Sequence, residues 1–159
     1  IAIDVADDKL GLARQLGATD TFNASDPECV AKVIEATKGG VEYAFEVAGV
    51  VEAMQTSYAI TRRGGMTVTS GISQHQHSFE IPHAQLVVEE RAIKGSYMGS
   101  SIVRQDVPKF INLYKQGKLP VDKLRSGNIG LEDLNKGFDK LAAGDAVRQM
   151  LVMHPEFNT

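Results

Sequence analysis

Two periodicities take turns along this chain, and their alternation constrains its fold more than any other feature. Residues 1–5, 41–47, 66–70 and 92–97 are short, largely apolar runs of the kind buried strands show, with Thr21-Phe22 as a briefer one. Between them lie amphipathic helical patterns. Residues 7–16 set Leu10, Ala13 and Leu16 on one face, and Gly17 stops the helix. Asp26 reads as an N-cap with Pro27 in the first helical position, followed by the stripe Val30, Val33 and Ile34 and ended by Gly39-Gly40. Residues 50–61 form a third helix, and Arg63-Gly64-Gly65 turns into the strand at 66–70. Further on, the sequence predicts a short strand at 78–81, a short helix at 83–89 and a helix at 106–116 carrying Val107, Phe110, Ile111 and Tyr114. Leu131, Leu134, Phe138 and Leu141 repeat that spacing up to Gly144, and a last strand covers 147–153. Strands alternating with helices require crossover connections, hence a parallel sheet covered on both faces. No linker, repeat or low-complexity tract interrupts the pattern, so residues 1–159 are expected to form a single domain.

Composition removes several classes of function. A net charge of −3 gives no basis for binding nucleic acid or a membrane surface. No apolar run approaches the roughly 20 residues of a membrane span. The single Cys29 excludes an internal disulfide framework and suits a reducing, cytoplasmic location. The chain also opens directly on a strand, without an initiator Met, which points to a chain cut upstream.

Asp4 closes the first strand and is followed by a helix. A carboxylate there can accept hydrogen bonds from both hydroxyls of an adenosine ribose and repels a 2′-phosphate, favouring NAD over NADP. Lys9, one turn into the helix, reaches the same ribose. The alternative is that Asp4 only caps the helix beginning at Asp7-Asp8. The G-x-G-x-x-G turn of a dinucleotide site is missing; since the acid follows those glycines by about 20 residues, they would precede residue 1. A zinc site needs three or four ligands, which one cysteine cannot anchor. His75-Gln76-His77 has no evident third partner and reads as a solvent loop. No Ser-His-Asp order or carboxylate pair marks another catalytic centre.

Several segments, in order, resemble the medium-chain, zinc-dependent alcohol dehydrogenase family. Asp4-Val5-Ala6-Asp7-Asp8-Lys9-Leu10 and Leu16-Gly17-Ala18-Thr19 are similar to its second strand and helix. The stretch from Gly40-Val41-Glu42-Tyr43 through Ala44-Phe45-Glu46-Val47-Ala48-Gly49 is similar to its fourth strand, with Glu42 where Asp is common. The stretch from Arg63-Gly64-Gly65-Met66 to Gly71 resembles the fifth, and Ile93-Lys94-Gly95-Ser96-Tyr97-Met98-Gly99 the sixth. Gly144-Asp145-Ala146-Val147-Arg148 resembles the entry to the last strand.

The resemblance implies a Rossmann-like, doubly wound parallel α/β sheet that lacks its first strand and glycine-rich loop. The missing strand is central in the order 3-2-1-4-5-6, so the expected outcome is closure of the gap by direct pairing of the strand at 1–5 with that at 41–47, the alternatives being a strand swapped in from a partner chain or upstream residues filling the place. By the same resemblance, Asp4 and Lys9 hold the adenosine ribose, and Val5 and Ala48 border the adenine and its ribose. Ser70, Ser96 and Met98 meet the nicotinamide carboxamide mainly through backbone, and Arg148 pairs with the pyrophosphate. No catalytic or metal-binding residue is expected in this chain, with zinc confined to a missing catalytic domain. The parent enzyme would transfer hydride between a small alcohol or aldehyde and NAD, as a homodimer or tetramer pairing through residues 78–82 and 93–97; the fragment alone would be inactive. The alternatives are a zinc-free quinone reductase of the same superfamily, or a non-catalytic NAD-sensing regulatory module.

Overall fold

A computed structural model describes residues 1–154. Its backbone contacts gather into two units, Ile1–Ser101 and a second beginning at Ile102. The first unit runs β1 (Ala2–Asp4), α1 (Asp7–Gln15), β2 (Thr21–Asn23), α2 (Cys29–Ala36), β3 (Val41–Glu46), α3 (Val51–Ile60), β4 (Thr61–Thr69), α4 (His83–Val88) and β5 (Ala92–Gly95). The second contains α5 (Val103–Lys115), β6 (Arg125–Ile129), α6 (Leu134–Ala143) and β7 (Arg148–Leu151). Every strand pair is parallel, as crossover helices demand. No helix among the described residues is long and apolar enough to cross a membrane.

Hydrogen bonding joins β1 to β2 and, separately, β3 to β4 to β5. The expected direct pairing of β1 with β3 is therefore corrected: each keeps one unpartnered edge. The reason lies in α2. Cys29 and Val33 of this helix pack with Ala44 of β3 and Ile60 of α3, while Ile3 of β1 and Phe22 of β2 pack onto the same cluster. The two sheets thus share a core through a helix lying against both. Pairing them edge to edge would break up the cluster that buries Val33 completely. The alternation of strands and helices in parallel sheets is that of the Rossmann-like α/β fold expected from the sequence. Along β3, Ala44 and Glu46 are buried whereas Tyr43 and Phe45 are exposed, the period of two that a pleated strand imposes.

Helix starts shift where side chains bind backbone. The Asp26 carboxylate accepts the N–H of Glu28 at 2.9 Å and its carbonyl accepts that of Cys29 at 2.9 Å. Asp26 therefore organises a turn, and α2 starts at Cys29 rather than Pro27. In α5, Asp106 reaches back to the N–H of Ile102 at 2.7 Å, moving the start one turn ahead of the expected Asp106. Residues 78–81 form no strand, because no neighbouring segment offers them a ladder partner. Conversely β6, Arg-Ser-Gly-Asn-Ile, has one apolar residue and no strand periodicity; its pairing with β7 makes it a strand.

Three buried polar groups knit β4 to its neighbours. Thr61 donates to the carbonyl of Ser57 at 2.7 Å and lies 2.8 Å from the hydroxyl of Thr67, both threonines being almost fully buried. Arg91, ahead of β5, donates to the carbonyl of Tyr58 at 2.7 Å, stacks 5.0 Å from that ring's centre and pairs with Glu89 at 2.5 Å. Thr61→Val should destabilise the protein by about 1–3 kcal/mol by stranding the Thr67 hydroxyl, and adding Thr67→Val should recover most of the loss. Urea denaturation of the two variants measures this; a double variant less stable than the single one contradicts it. Burial, with a lesser contribution from Asp26, pushes the Cys29 thiol above its ordinary pKa and withholds the reactive thiolate. Alkylation of Cys29 at pH 8 should be slow in the folded protein and fast in urea; equal rates would contradict the packing.

Candidate functional site

Each parallel strand delivers its last residues, and the turn that follows, to the edge where open α/β sheets bind ligands. At the end of β1, one oxygen of Asp4 accepts the N–H of Ala6 at 3.0 Å, a two-residue turn that leads into α1. Ala6 is the residue preceding α1 and has no side-chain cap bond. The amide of Asn23, in register with Asp4 on β2, donates to Asp7 at 2.7 Å and to the carbonyl of Val5 at 3.4 Å. The first turn of α1 is therefore tied down by Asn23, while among the described residues none donates a hydrogen bond to the second oxygen of half-buried Asp4. Val5 is exposed, and Lys9 is half-buried, with no ion pair among the described residues. Asp4, Val5 and Lys9 thus adjoin one turn, with a carboxylate oxygen, an apolar surface and an ammonium group.

A second group gathers at the ends of β3, β4 and β5. The register sets Glu46 beside Thr69 and Thr69 beside Gly95. Ala48 lies just beyond β3, Ser70 just beyond β4 and Ser96 just beyond β5, so three of the expected positions stand on adjacent strand ends. Backbone ties link them: Ser70 donates its N–H to the carbonyl of Glu46 at 2.8 Å, and Ser96 to that of Thr69 at 2.8 Å.

Glu46 itself is not among the residues singled out from the sequence. It is 3% exposed, and its carboxylate accepts the N–H of Gly49 at 2.6 Å and the hydroxyl of Thr69 at 2.7 Å. The available signal was the period-two pattern of β3, which places an acid on the same face as Ala44.

Past β5 the backbone becomes strained. Met98 and Ser100 take φ of 49° and 54°, with Gly99 at 67° between them. Two non-glycine residues in the left-handed region cost of order 1–2 kcal/mol each. Side chains hold the turn: the hydroxyls of Ser96 and Ser100 lie 3.0 Å apart, and Ser101 donates to the carbonyl of Met98 at 2.8 Å. Met98 consequently projects into solvent from a fixed backbone.

Arg148 belongs to the second unit, where it opens β7 opposite Arg125. The hydroxyl of Ser126 accepts the N–H groups of Val147 and Arg148 at 2.8 and 3.2 Å, so the backbone is held while the side chain is exposed. No three His, Cys, Asp or Glu among the described residues converge in a way that could hold a metal. Cys29 is buried in the core, and His77, in an exposed turn, lies 3.2 Å from the Ser73 hydroxyl. These donors do not fit zinc.

Comparison with known proteins agrees with this architecture. A family model described as a zinc-binding dehydrogenase matches residues 1–116. The chain is 31% identical over 160 residues to an S-(hydroxymethyl)glutathione dehydrogenase of Paracoccus denitrificans, covering 96% of this chain and 42% of the relative. It is 32% identical over 161 residues to a class-3 alcohol dehydrogenase of Cereibacter sphaeroides, covering 96% of this chain and 43% of the relative. Benzyl alcohol dehydrogenase of Acinetobacter calcoaceticus superposes with a TM-score of 0.90 at 26% identity, over 96% of this chain and 42% of that one. The chain therefore spans less than half the length of the relatives it matches. It belongs to the medium-chain, zinc-dependent alcohol dehydrogenase family, and corresponds to that family's C-terminal, NAD-binding part.

Proposed function

We propose that residues 1–159 form the cofactor-binding domain of an NAD-dependent alcohol dehydrogenase acting in the cytoplasm on a small alcohol or aldehyde. The observation that carries the reading is the placement of Ala48, Ser70 and Ser96 on adjacent strand ends, in the same unit as a strand-end carboxylate, Asp4, that keeps one oxygen unused. Bound NAD would supply the hydride acceptor. Asp4 would accept the ribose hydroxyls, Lys9 would reach the same sugar, and Val5 and Ala48 would border the adenine and its ribose. The strand ends at Ser70 and Ser96, with the fixed backbone of Met98, would meet the carboxamide. Arg148 would offer its guanidinium fork to the pyrophosphate. Zinc, where the parent uses it, would be held by residues outside this chain.

The same reading covers assembly. Among the described residues β5 bonds only to β4, so its outer edge offers unpaired backbone groups there. We take residues 93–97 and the exposed segment 78–82 to form a two-fold homodimer edge, alone or within a tetramer.

In the full-length protein, NAD should be used well above NADP, and Asp4→Gly should weaken NAD binding by about 1–3 kcal/mol, the scale of charged hydrogen bonds. Steady-state kinetics with both cofactors test this; equal or better use of NADP by the wild type would refute it. The 159-residue chain alone should oxidise no alcohol and bind NAD feebly, and micromolar NAD binding by calorimetry would count against that expectation. Light scattering of the full-length protein should give a dimer or tetramer, and a monomer at high concentration would remove the β5 interface.

A further inference from the structure

Glu46 occupies a position that packing alone does not explain. It ends β3 on the buried face, where a carboxylate is tolerated only if its oxygens are hydrogen-bonded. Among the described residues neither oxygen meets a cation. One accepts the N–H of Gly49 at 2.6 Å, in the turn between β3 and α3, and the other accepts the Thr69 hydroxyl at 2.7 Å, on the last residue of β4. The carbonyl of the same residue accepts the N–H groups of Ser70 and Gly71 at 2.8 and 3.3 Å. One residue thereby fastens two turns on neighbouring strands.

The two turns touch so closely that glycine is required in both. A Cβ on Gly71 would lie 2.2 Å from the Gly49 nitrogen and 2.8 Å from the Glu46 carboxylate; one on Gly49 would lie 2.8 Å from the carbonyl oxygen of Ile72. Gly49 also adopts a φ of 73°, which a side chain resists. Ala48 and Ser70 sit immediately beside these contacts.

We propose that Glu46 is a positioning residue for the nicotinamide dinucleotide, holding the Ala48 turn against the Ser70 strand end so that both meet the cofactor at a fixed separation; this rests on the cofactor reading above. Since both turns present mainly backbone to the ligand, their spacing matters more than their side chains. Glu46 sets that spacing without touching the ligand.

The test is NADH titration by fluorescence on the full-length protein, with thermal unfolding followed in parallel. Glu46→Ala should raise the NADH dissociation constant about 10-fold or more, because a misplacement near 1 Å is costly to an oriented ligand. Glu46→Gln should stay within about threefold of wild type. Its carbonyl can accept from Gly49 and its NH2 can donate to Thr69, whose hydroxyl accepts as well as donates. Combining Glu46→Gln with Thr69→Val removes that acceptor and should lose the rescue. A carboxylate serving the fold alone would lower the unfolding midpoint while leaving the affinity of the folded protein within about threefold in both Glu46→Ala and the double variant. That result overturns the proposal. If Glu46→Ala does not fold, the comparison of Glu46→Gln with the double variant decides. A wild type that binds no NADH would overturn the cofactor reading and this inference together, whereas unaltered binding by the variants overturns only the inference.

Discussion

The burial of the α2 stripe is the interaction on which the first unit depends. No strand-to-strand hydrogen bond joins the β1–β2 pair to the β3–β4–β5 sheet. What unites them is the cluster of Cys29, Val33, Ala44 and Ile60, with Ile3 and Phe22 arriving from one side and Val41 from the other. Full burial of a side chain of this kind contributes about 1.5–3 kcal/mol, and a few together offset the lack of a ladder. Hydrophobic contact is non-directional, but an interdigitated core is not. The seating of Val33 therefore fixes how the turn after β1, with Asp4, lies relative to the turn after β3, with Ala48.

A second layer of order comes from polar groups placed where water cannot reach. Thr61 with Thr67, Arg91 with Glu89 and Tyr58, and Glu46 with Gly49 and Thr69 all lie in β4 or in the segments beside it. A buried polar atom loses its hydration, so it stabilises one arrangement only: the one that satisfies it. Apolar packing would permit β4 to slide by small amounts at little cost. These bonds do not, since a slide would part each group from the specific partners it holds at hydrogen-bond distance. Strand ends held this way can meet a ligand without reorganising, which is where a site built on backbone gains its affinity.

Much of the fold was legible because period-two and period-3.6 patterns survive in one sequence. Residues 41–47 and the stripe Val30, Val33 and Ile34 announce β3 and α2, and the structure keeps them within a residue or two. The exceptions have physical causes. Residues 78–81 alternate like a strand but have no neighbour, and β6 lacks the alternation but has one. Pairing is a tertiary fact, invisible in either segment alone. The gap beside β1 was anticipated, but its closure was not what the chain does, because α2 needs both sheets on its stripe. Of the candidate site, the placement of Asp4, Ser70 and Ser96 at strand ends could be read, since the end of a strand is a sequence feature. Glu46 could not, because its meaning depends on Gly49 and Thr69, which lie 3 and 23 residues away.

A likeness of 26% identity with a TM-score of 0.90 also has a physical explanation in these contacts. Core positions tolerate exchange among apolar residues of similar volume, so pattern persists while identity drifts. Strand ends that bind through N–H and C=O groups place even fewer demands on side chains, because every residue except proline supplies the same two groups. The stringent positions are those where backbone meets backbone or a charge is buried. Gly71 admits no Cβ, and the side chain at position 46 must hydrogen-bond both Gly49 and Thr69 from a buried site. The tight contacts that hold the turns after β3 and β4 together are therefore the least tolerant of substitution, whatever residues stand beside them.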